Sequence, residues 1–224
     1  TTDADHSDAS EKPVCTPEEQ EYLCEFASNY FAKPVTRDQI VWTYSGVRPL
    51  YDDGAESAAS ATRDYTLKLD TTAAPLLNIF GGKITTYRRL AESALEKIGT
   101  QFDGLSDKWT AGVAMPGGDF AVDGVDQLIS DLQQSYPFLT PAWARRLVRA
   151  YGTEAAVLLG DAKDLGDLGE DFGATLTAAE ITWLKENEFA SCAEDVLWRR
   201  SKLGLRLSKD QAARVDAFMQ AQTL

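Results

Sequence analysis

The sequence predicts an α+β fold, with short strands and helices over residues 1–111 followed by an all-helical domain over residues 112–224. Three observations carry this. The apolar run from Pro75 to Phe80 has strand character and stops at Gly81-Gly82. A helical stripe of Leu90, Ala94, Leu95 and Ile98 follows directly, at three- and four-residue spacing. From about Gly112 the punctuation is that of helices: N-cap residues, prolines in the first turn and glycine stops.

A chain of 224 residues can bury a real core in one or two domains. Its 44% hydrophobic and 25% charged residues suit a soluble globular protein. The formal charge of −13 argues against nucleic acid as a partner and against a broad footprint on anionic lipid. No apolar run approaches a membrane span, and no signal peptide is expected at the start. Cys15, Cys24 and Cys192 are odd in number and scattered, which points to reduced thiols in a cytoplasmic setting. His6 is the single histidine and stands in a polar leader, so neither a Ser-His-Asp site nor a His-rich metal site is expected. No metal is predicted. Chemistry here must rest on Arg, Lys, carboxylates or a cofactor.

Taken in order, residues 1–14 are polar and without periodicity. Thr16-Pro17-Glu18-Glu19 starts a helix that should run to about Phe31, with Tyr22, Leu23, Phe26 and Tyr30 on its buried side, before Pro34. Ile40 to Tyr44 has strand composition and ends at Ser45-Gly46. Residues 52–60 read as a small acidic loop, and Thr62 to Leu67 as a further strand. After the Pro116-Gly117-Gly118-Asp119 turn, helices are expected at 123–134, at 141–151 with Gly152 as the stop, and at 153–159. The acidic stretch Asp161–Gly173 departs from calcium-loop spacing and reads as a solvated connector. Thr177-Ala178-Ala179-Glu180 and Ser208-Lys209-Asp210-Gln211 read as capping boxes for two further helices. A third helical stretch, Asp195 to Arg200, carries two arginines near its C-terminal end. The apolar stripes of these helices are core, and no catalytic residue is assigned to them.

The chemically suggestive stretch is Phe80-Gly81-Gly82-Lys83-Ile84-Thr85-Thr86-Tyr87. A strand, a glycine turn, a lysine and a helix start expose backbone N–H groups that can hold an anion or a polar ring edge. Two adjacent glycines also let a flat group lie against the main chain. The plainer alternative is an ordinary strand-to-helix turn. Arg48 stands between a glycine break and Pro49, on stiff backbone of the kind that often carries binding residues. Arg48, Arg63 and Lys83 thus fall at or near the ends of successive strand-like segments, which suggests a pocket for a small anion such as phosphate. Three separate surface salt bridges remain the alternative.

The strings TRDQIVWTYSGVRPL, ATRDYTL, APLLNIFGGKITTYRRLAESALEKI, SYPFL, DLGEDFG and DVLWRRSKLGL resemble the C-terminal part of the FAD-dependent, quinone-linked sn-glycerol-3-phosphate dehydrogenases. The resemblance spans nearly the whole chain. It implies that residues 1–111 are the end of a D-amino-acid-oxidase-like substrate domain that contacts FAD, and residues 112–224 a helical domain. It also implies that Arg48, Arg63 and Lys83 bind sn-glycerol 3-phosphate, with Arg48 and Lys83 acting in catalysis. Gly81, Gly82, Lys83, Ile84 and Thr85 would border the flavin, and the product would be dihydroxyacetone phosphate. The implied partners are an N-terminal FAD domain and a quinone, with a homodimer among the assemblies it allows. The implied location is peripheral, on the cytoplasmic face of the inner membrane.

The family's GxGxxG dinucleotide fingerprint is absent from the sequence. The chain therefore resembles a fragment beginning inside the substrate domain, and alone it is expected neither to hold FAD tightly nor to turn over. A glycerophosphate oxidase, with oxygen as acceptor, fits the same residues. For the isolated chain, so does a non-catalytic helical interaction module.

Overall fold

The computed structural model describes residues 2, 4, 6, 8, 10–52, 54, 62–102 and 104–221. The acidic loop expected at 52–60 lies mostly outside the described residues. The chain divides into two units, residues 1–113 and 114–224.

The first unit begins with α1, Pro17–Ser28, at the expected start, and Thr16 and Glu19 form a capping box there. The Glu19 N–H donates to Thr16 Oγ1 at 3.2 Å, and the Thr16 N–H donates to Glu19 Oε2 at 2.8 Å. The helix ends three residues short of Phe31. The Ser28 hydroxyl donates to Cys24 O at 2.7 Å and accepts the Val35 N–H at 2.9 Å, so the chain is turned back there. Strands β1, Thr66–Asp70, and β2, Leu76–Phe80, pair antiparallel from Thr66↔Phe80 to Asp70↔Leu76. An Asx turn closes the hairpin, with Asp70 Oδ1 accepting the Thr72 N–H at 2.9 Å and its hydroxyl at 2.8 Å. A short 3₁₀ turn over Ile84–Thr86 then leads into α2, Tyr87–Ile98.

Three expectations for this unit need correction. The Ile40–Tyr44 segment belongs to no sheet, although the Trp42 and Tyr44 rings stack 5.0 Å apart. The sheet that forms is a local hairpin, which costs less loop closure than pairing with a more distant segment. The strand expected at Thr62–Leu67 starts only at Thr66, after a bend at Asp64. The aromatic face expected to be buried on α1 is also in solvent: Tyr22, Phe26 and Tyr30 are all more than half exposed. They stack on one another along the helix, Tyr22 on Phe26 at 6.2 Å and Phe26 on Tyr30 at 5.5 Å. Among the described residues of this unit, Cys24 alone is buried. Burial, not stacking, supplies most of the stabilisation of such rings, so this face is thermodynamically unfinished.

The second unit is different. It comprises α3 (Val125–Ser135), α4 (Pro141–Tyr151), α5 (Glu154–Leu159), α6 (Ala178–Glu188), a π-helical segment at Asp195–Arg200 and α7 (Lys209–Ala221). One two-stranded ribbon, β3 (Asp171–Gly173) with β4 (Leu176–Thr177), interrupts the helices. A contiguous core runs through Leu132, Trp143, Leu147, Phe172, Ile181, Leu184, Val196 and Val215. Each such side chain contributes about 1.5–3 kcal/mol on burial. Trp143 is 8% exposed, and its indole N–H finds no acceptor among the described residues. The Asp161–Gly173 stretch is not a solvated connector. Its acids stay at the surface, but Leu168 and Phe172 are buried and tie it to the core.

Thr177 and Glu180 form no capping box, since Thr177 makes no side-chain cap bond. Glu180 instead turns inward to 1% exposure. Its carboxylate accepts from Arg146 NH1 and NH2 at 2.7 and 2.6 Å and from the Tyr151 hydroxyl at 2.7 Å. Arg146 also donates to Thr175 Oγ1 and Thr175 O, both at 2.8 Å. Those bonds hold the β3–β4 turn, where Ala174 and Thr175 both have positive φ. Burial pushes the Tyr151 phenol well above its ordinary value, and the adjoining carboxylate adds to the rise, so it stays a donor.

Arg146→Met keeps the volume but leaves the Glu180 carboxylate buried without its ion pair. We expect the second unit to lose about 3–5 kcal/mol, read as a fall in the urea midpoint with the slope unchanged.

Candidate functional site

The hairpin register determines where the candidate cations lie. Thr66 faces Phe80, so the residues just before β1 and just after β2 sit together at the open end of the hairpin. Arg63 enters there and Lys83 leaves there. Arg48 reaches the same place through backbone contact: the Gly81 N–H donates to Pro49 O at 2.9 Å. A tight turn around Pro49, with the Leu50 N–H donating to Arg48 O at 2.8 Å, fixes the chain on either side. The three segments predicted to carry the site thus meet around one residue, Gly81. Arg48 and Lys83 are exposed and Arg63 is half-buried. Among the described residues, no ion-pair partner is recorded for the Lys83 ammonium.

Gly81 is required by this junction. It has φ +69°, and a Cβ there would lie 2.8 Å from the Asp64 carbonyl oxygen. Gly82 follows at φ +100°, its missing Cβ directed at Leu90 Cδ1. Both absent side chains would therefore point into the chain itself. The glycines are needed to build the turn, and what faces outward is Lys83, Ile84 and Thr85.

Thr86 locks the turn. Its N–H donates to Lys83 O at 2.9 Å, its hydroxyl donates to the same oxygen at 3.0 Å, and the Lys83 N–H donates to Thr86 Oγ1 at 3.3 Å. The Ile84 and Thr85 N–H groups precede the first helical bonds and have no acceptor among the described residues. Ile84 is 88% exposed. Two N–H donors without an acceptor among the described residues, beside an exposed apolar side chain and an ammonium, make a donor set that could hold the polar edge of a planar ring. Sequence reasoning named the glycines and Lys83 but missed Thr86, whose signal was its place three residues after Lys83.

Behind the turn, the Tyr65 and Ser93 hydroxyls lie 3.2 Å apart, and Arg88 donates to Glu92 at 2.8 Å and to Thr110 at 3.2 Å. A cleft of about 540 Å³ is lined here by Tyr65, Arg88, Arg89, Glu92, Ser93 and Lys108. Another, of about 400 Å³, lies in the second unit beside Gly117, Arg149 and Gly152. Neither contains Arg48, Arg63 or Lys83. Arg48 and Lys83 are exposed, so phosphate charge beside them would be screened by water unless something covered it.

Residues 108–223 match the family described as the C-terminal domain of alpha-glycerophosphate oxidase. The chain is 44% identical over 222 residues to the aerobic glycerol-3-phosphate dehydrogenase of Escherichia coli, covering 98% of this chain and 44% of that protein. It is 40% identical over 224 residues to the glycerol-3-phosphate dehydrogenase of Pseudomonas aeruginosa, covering 99% and 44%. A D-erythritol 1-phosphate dehydrogenase of Brucella abortus is 36% identical over 220 residues, covering 97% and 44%. The chain spans less than half the length of these curated relatives.

Gly81→Ala should break the junction without touching the second unit. Amide exchange at position 81, slowed in the native chain by Pro49 O, should speed up by about 10- to 100-fold, corresponding to roughly 1–3 kcal/mol of backbone strain. Exchange in α4 and α6 should be unchanged.

Proposed function

The chain belongs to the family described as the C-terminal domain of alpha-glycerophosphate oxidase, and on that premise we propose that it works within a longer FAD-dependent enzyme oxidising sn-glycerol 3-phosphate to dihydroxyacetone phosphate. The observation that carries the reading is the convergence of the Arg48, Arg63 and Lys83 segments on Gly81. The names of the relatives support a polyol phosphate as substrate. Arg48 and Arg63 grip its phosphate through paired N–H donors, which orients C2. The Lys83 ammonium stands beside the C2 hydroxyl and stabilises alkoxide character as that proton passes to water. Bound FAD supplies the acceptor for the hydride from C2. Lys83, Ile84 and Thr85 border it, held outward by the turn that Gly81 and Gly82 make possible.

The exposed aromatic face on α1 and the scarcity of buried side chains in the first unit favour its completion by an FAD-binding part. Alone, this chain neither retains flavin nor turns over; yellow absorbance co-purifying with it would contradict that. Electrons pass on to a quinone, at the cytoplasmic face of the inner membrane, by a peripheral contact. Among the described residues, no helix is long and apolar enough to cross a membrane.

The test is steady-state kinetics of the complete enzyme. Arg48→Ala should lower kcat/KM for sn-glycerol 3-phosphate on the order of 10²-fold, because a desolvated charged contact costs about 2–5 kcal/mol to remove. Any turnover of unphosphorylated glycerol should hardly change. Equal loss on both substrates would remove Arg48 from the phosphate site. Preference for D-erythritol 1-phosphate would reassign the substrate, and hydrogen peroxide in place of reduced quinone would make the enzyme an oxidase.

A further inference from the structure

Two contacts among the described residues fasten the segment carrying Arg48 to the hairpin. One is the backbone bond from the Gly81 N–H to Pro49 O. The other is the side chain of Tyr51. Its ring packs against Phe80 with centroids 5.6 Å apart, and its hydroxyl accepts from Lys68 Nζ at 2.6 Å. The register explains why one side chain can reach both. Phe80 lies opposite Thr66, and Lys68 is two residues further along β1, on the same face. Tyr51 therefore lies diagonally across that face, with its ring on β2 and its hydroxyl on β1. The Lys68 ammonium is 4.5 Å from the ring centroid but much nearer the oxygen, so the contact is a hydrogen bond at the ring's edge.

A second contact two residues from the first restricts the pivoting that a single backbone bond would allow. We propose that Tyr51 is a positioning residue that sets the orientation of Arg48 over the Gly81-Gly82-Lys83 turn. The inference rests on the reading of Arg48 as a phosphate ligand. Tyr51 touches neither substrate nor cofactor in this account. It acts through the three-residue link to Arg48, with Lys68 and Phe80 as its anchors.

The measured quantity is the ratio of kcat/KM for sn-glycerol 3-phosphate to that for glycerol, in a double-mutant cycle of the complete enzyme. Tyr51→Ala should lower the ratio about 5- to 10-fold through KM for the phosphorylated substrate, with kcat nearly constant. Tyr51→Phe and Lys68→Met should each lower it about 2- to 3-fold, since each removes the hydrogen bond and leaves the ring packed. In an Arg48→Ala background, Tyr51→Ala should have no further effect. If Tyr51→Ala lowers the ratio equally in both backgrounds, Tyr51 acts independently of Arg48 and the proposal is overturned. If Arg48→Ala lowers the ratio but Tyr51→Ala and Tyr51→Phe do not, the proposal falls while the functional reading stands. If Arg48→Ala itself leaves the ratio unchanged, the functional reading falls and this inference falls with it. A Tyr51→Ala protein that fails to fold leaves Tyr51→Phe and Lys68→Met to decide, and unaltered ratios in both overturn the proposal.

Discussion

The carboxylate of Glu180 is the constraint around which the second unit is arranged. A charge at 1% exposure is tolerable only if its oxygens are met by donors, and here they receive three hydrogen bonds from two residues of α4. Arg146 and Tyr151 stand at different points along that helix, so Glu180 fixes its axial position as well as its distance from α6. Arg146 then extends the same network to the Thr175 carbonyl and hydroxyl. One buried charge thereby sets the positions of two helices and a strained ribbon turn. Apolar packing around it supplies the energy, and the ionic network supplies the register.

The first unit is held together by another kind of contact. Cys24 is its single buried side chain among the described residues, so its tertiary definition comes from backbone approaches at Gly81 and from hydrogen bonds on the hairpin. Such contacts are directional but weak, worth about 0.5–1.5 kcal/mol each. They give a well-formed turn on a platform that has little core of its own. On the function proposed above, a binding surface built this way would present its cations in order while leaving desolvation to whatever closes over it. That division of labour suits a charged substrate, because the grip strengthens only once water has been excluded.

Much of this was legible in the sequence, and the exceptions have physical causes. The helix start at Thr16 was readable because every atom involved lies within one helical turn. So were the strand ending at Phe80, the helix after Thr86 and the proline start and glycine stop of α4. The same four-residue pattern at Thr177 and Glu180 misled, since a distant arginine on α4 competes for the carboxylate and wins. The aromatic stripe of α1 has the spacing of a buried face, but spacing says nothing of whether a covering surface is present. Strand composition at Ile40–Tyr44 failed for a related reason, as a sheet needs a neighbour that composition cannot name. For the candidate site, the residue types and their order could be read directly. The meeting of three segments at Gly81 could not, because it follows from hairpin register and from a carbonyl on Pro49.

The tryptophans are divided between the units in a way that has an optical consequence. Trp143 is enclosed by the helical core with its indole N–H unengaged by the described residues, whereas Trp109 of the first unit is 64% exposed. An indole in a dry apolar cage emits at shorter wavelength than one relaxed by solvent dipoles. Trp143 should accordingly weight the blue edge of the emission band and Trp109 the red edge, with the half-buried Trp42, Trp183 and Trp198 between them. The two edges are thus weighted toward different halves of one polypeptide, without any label.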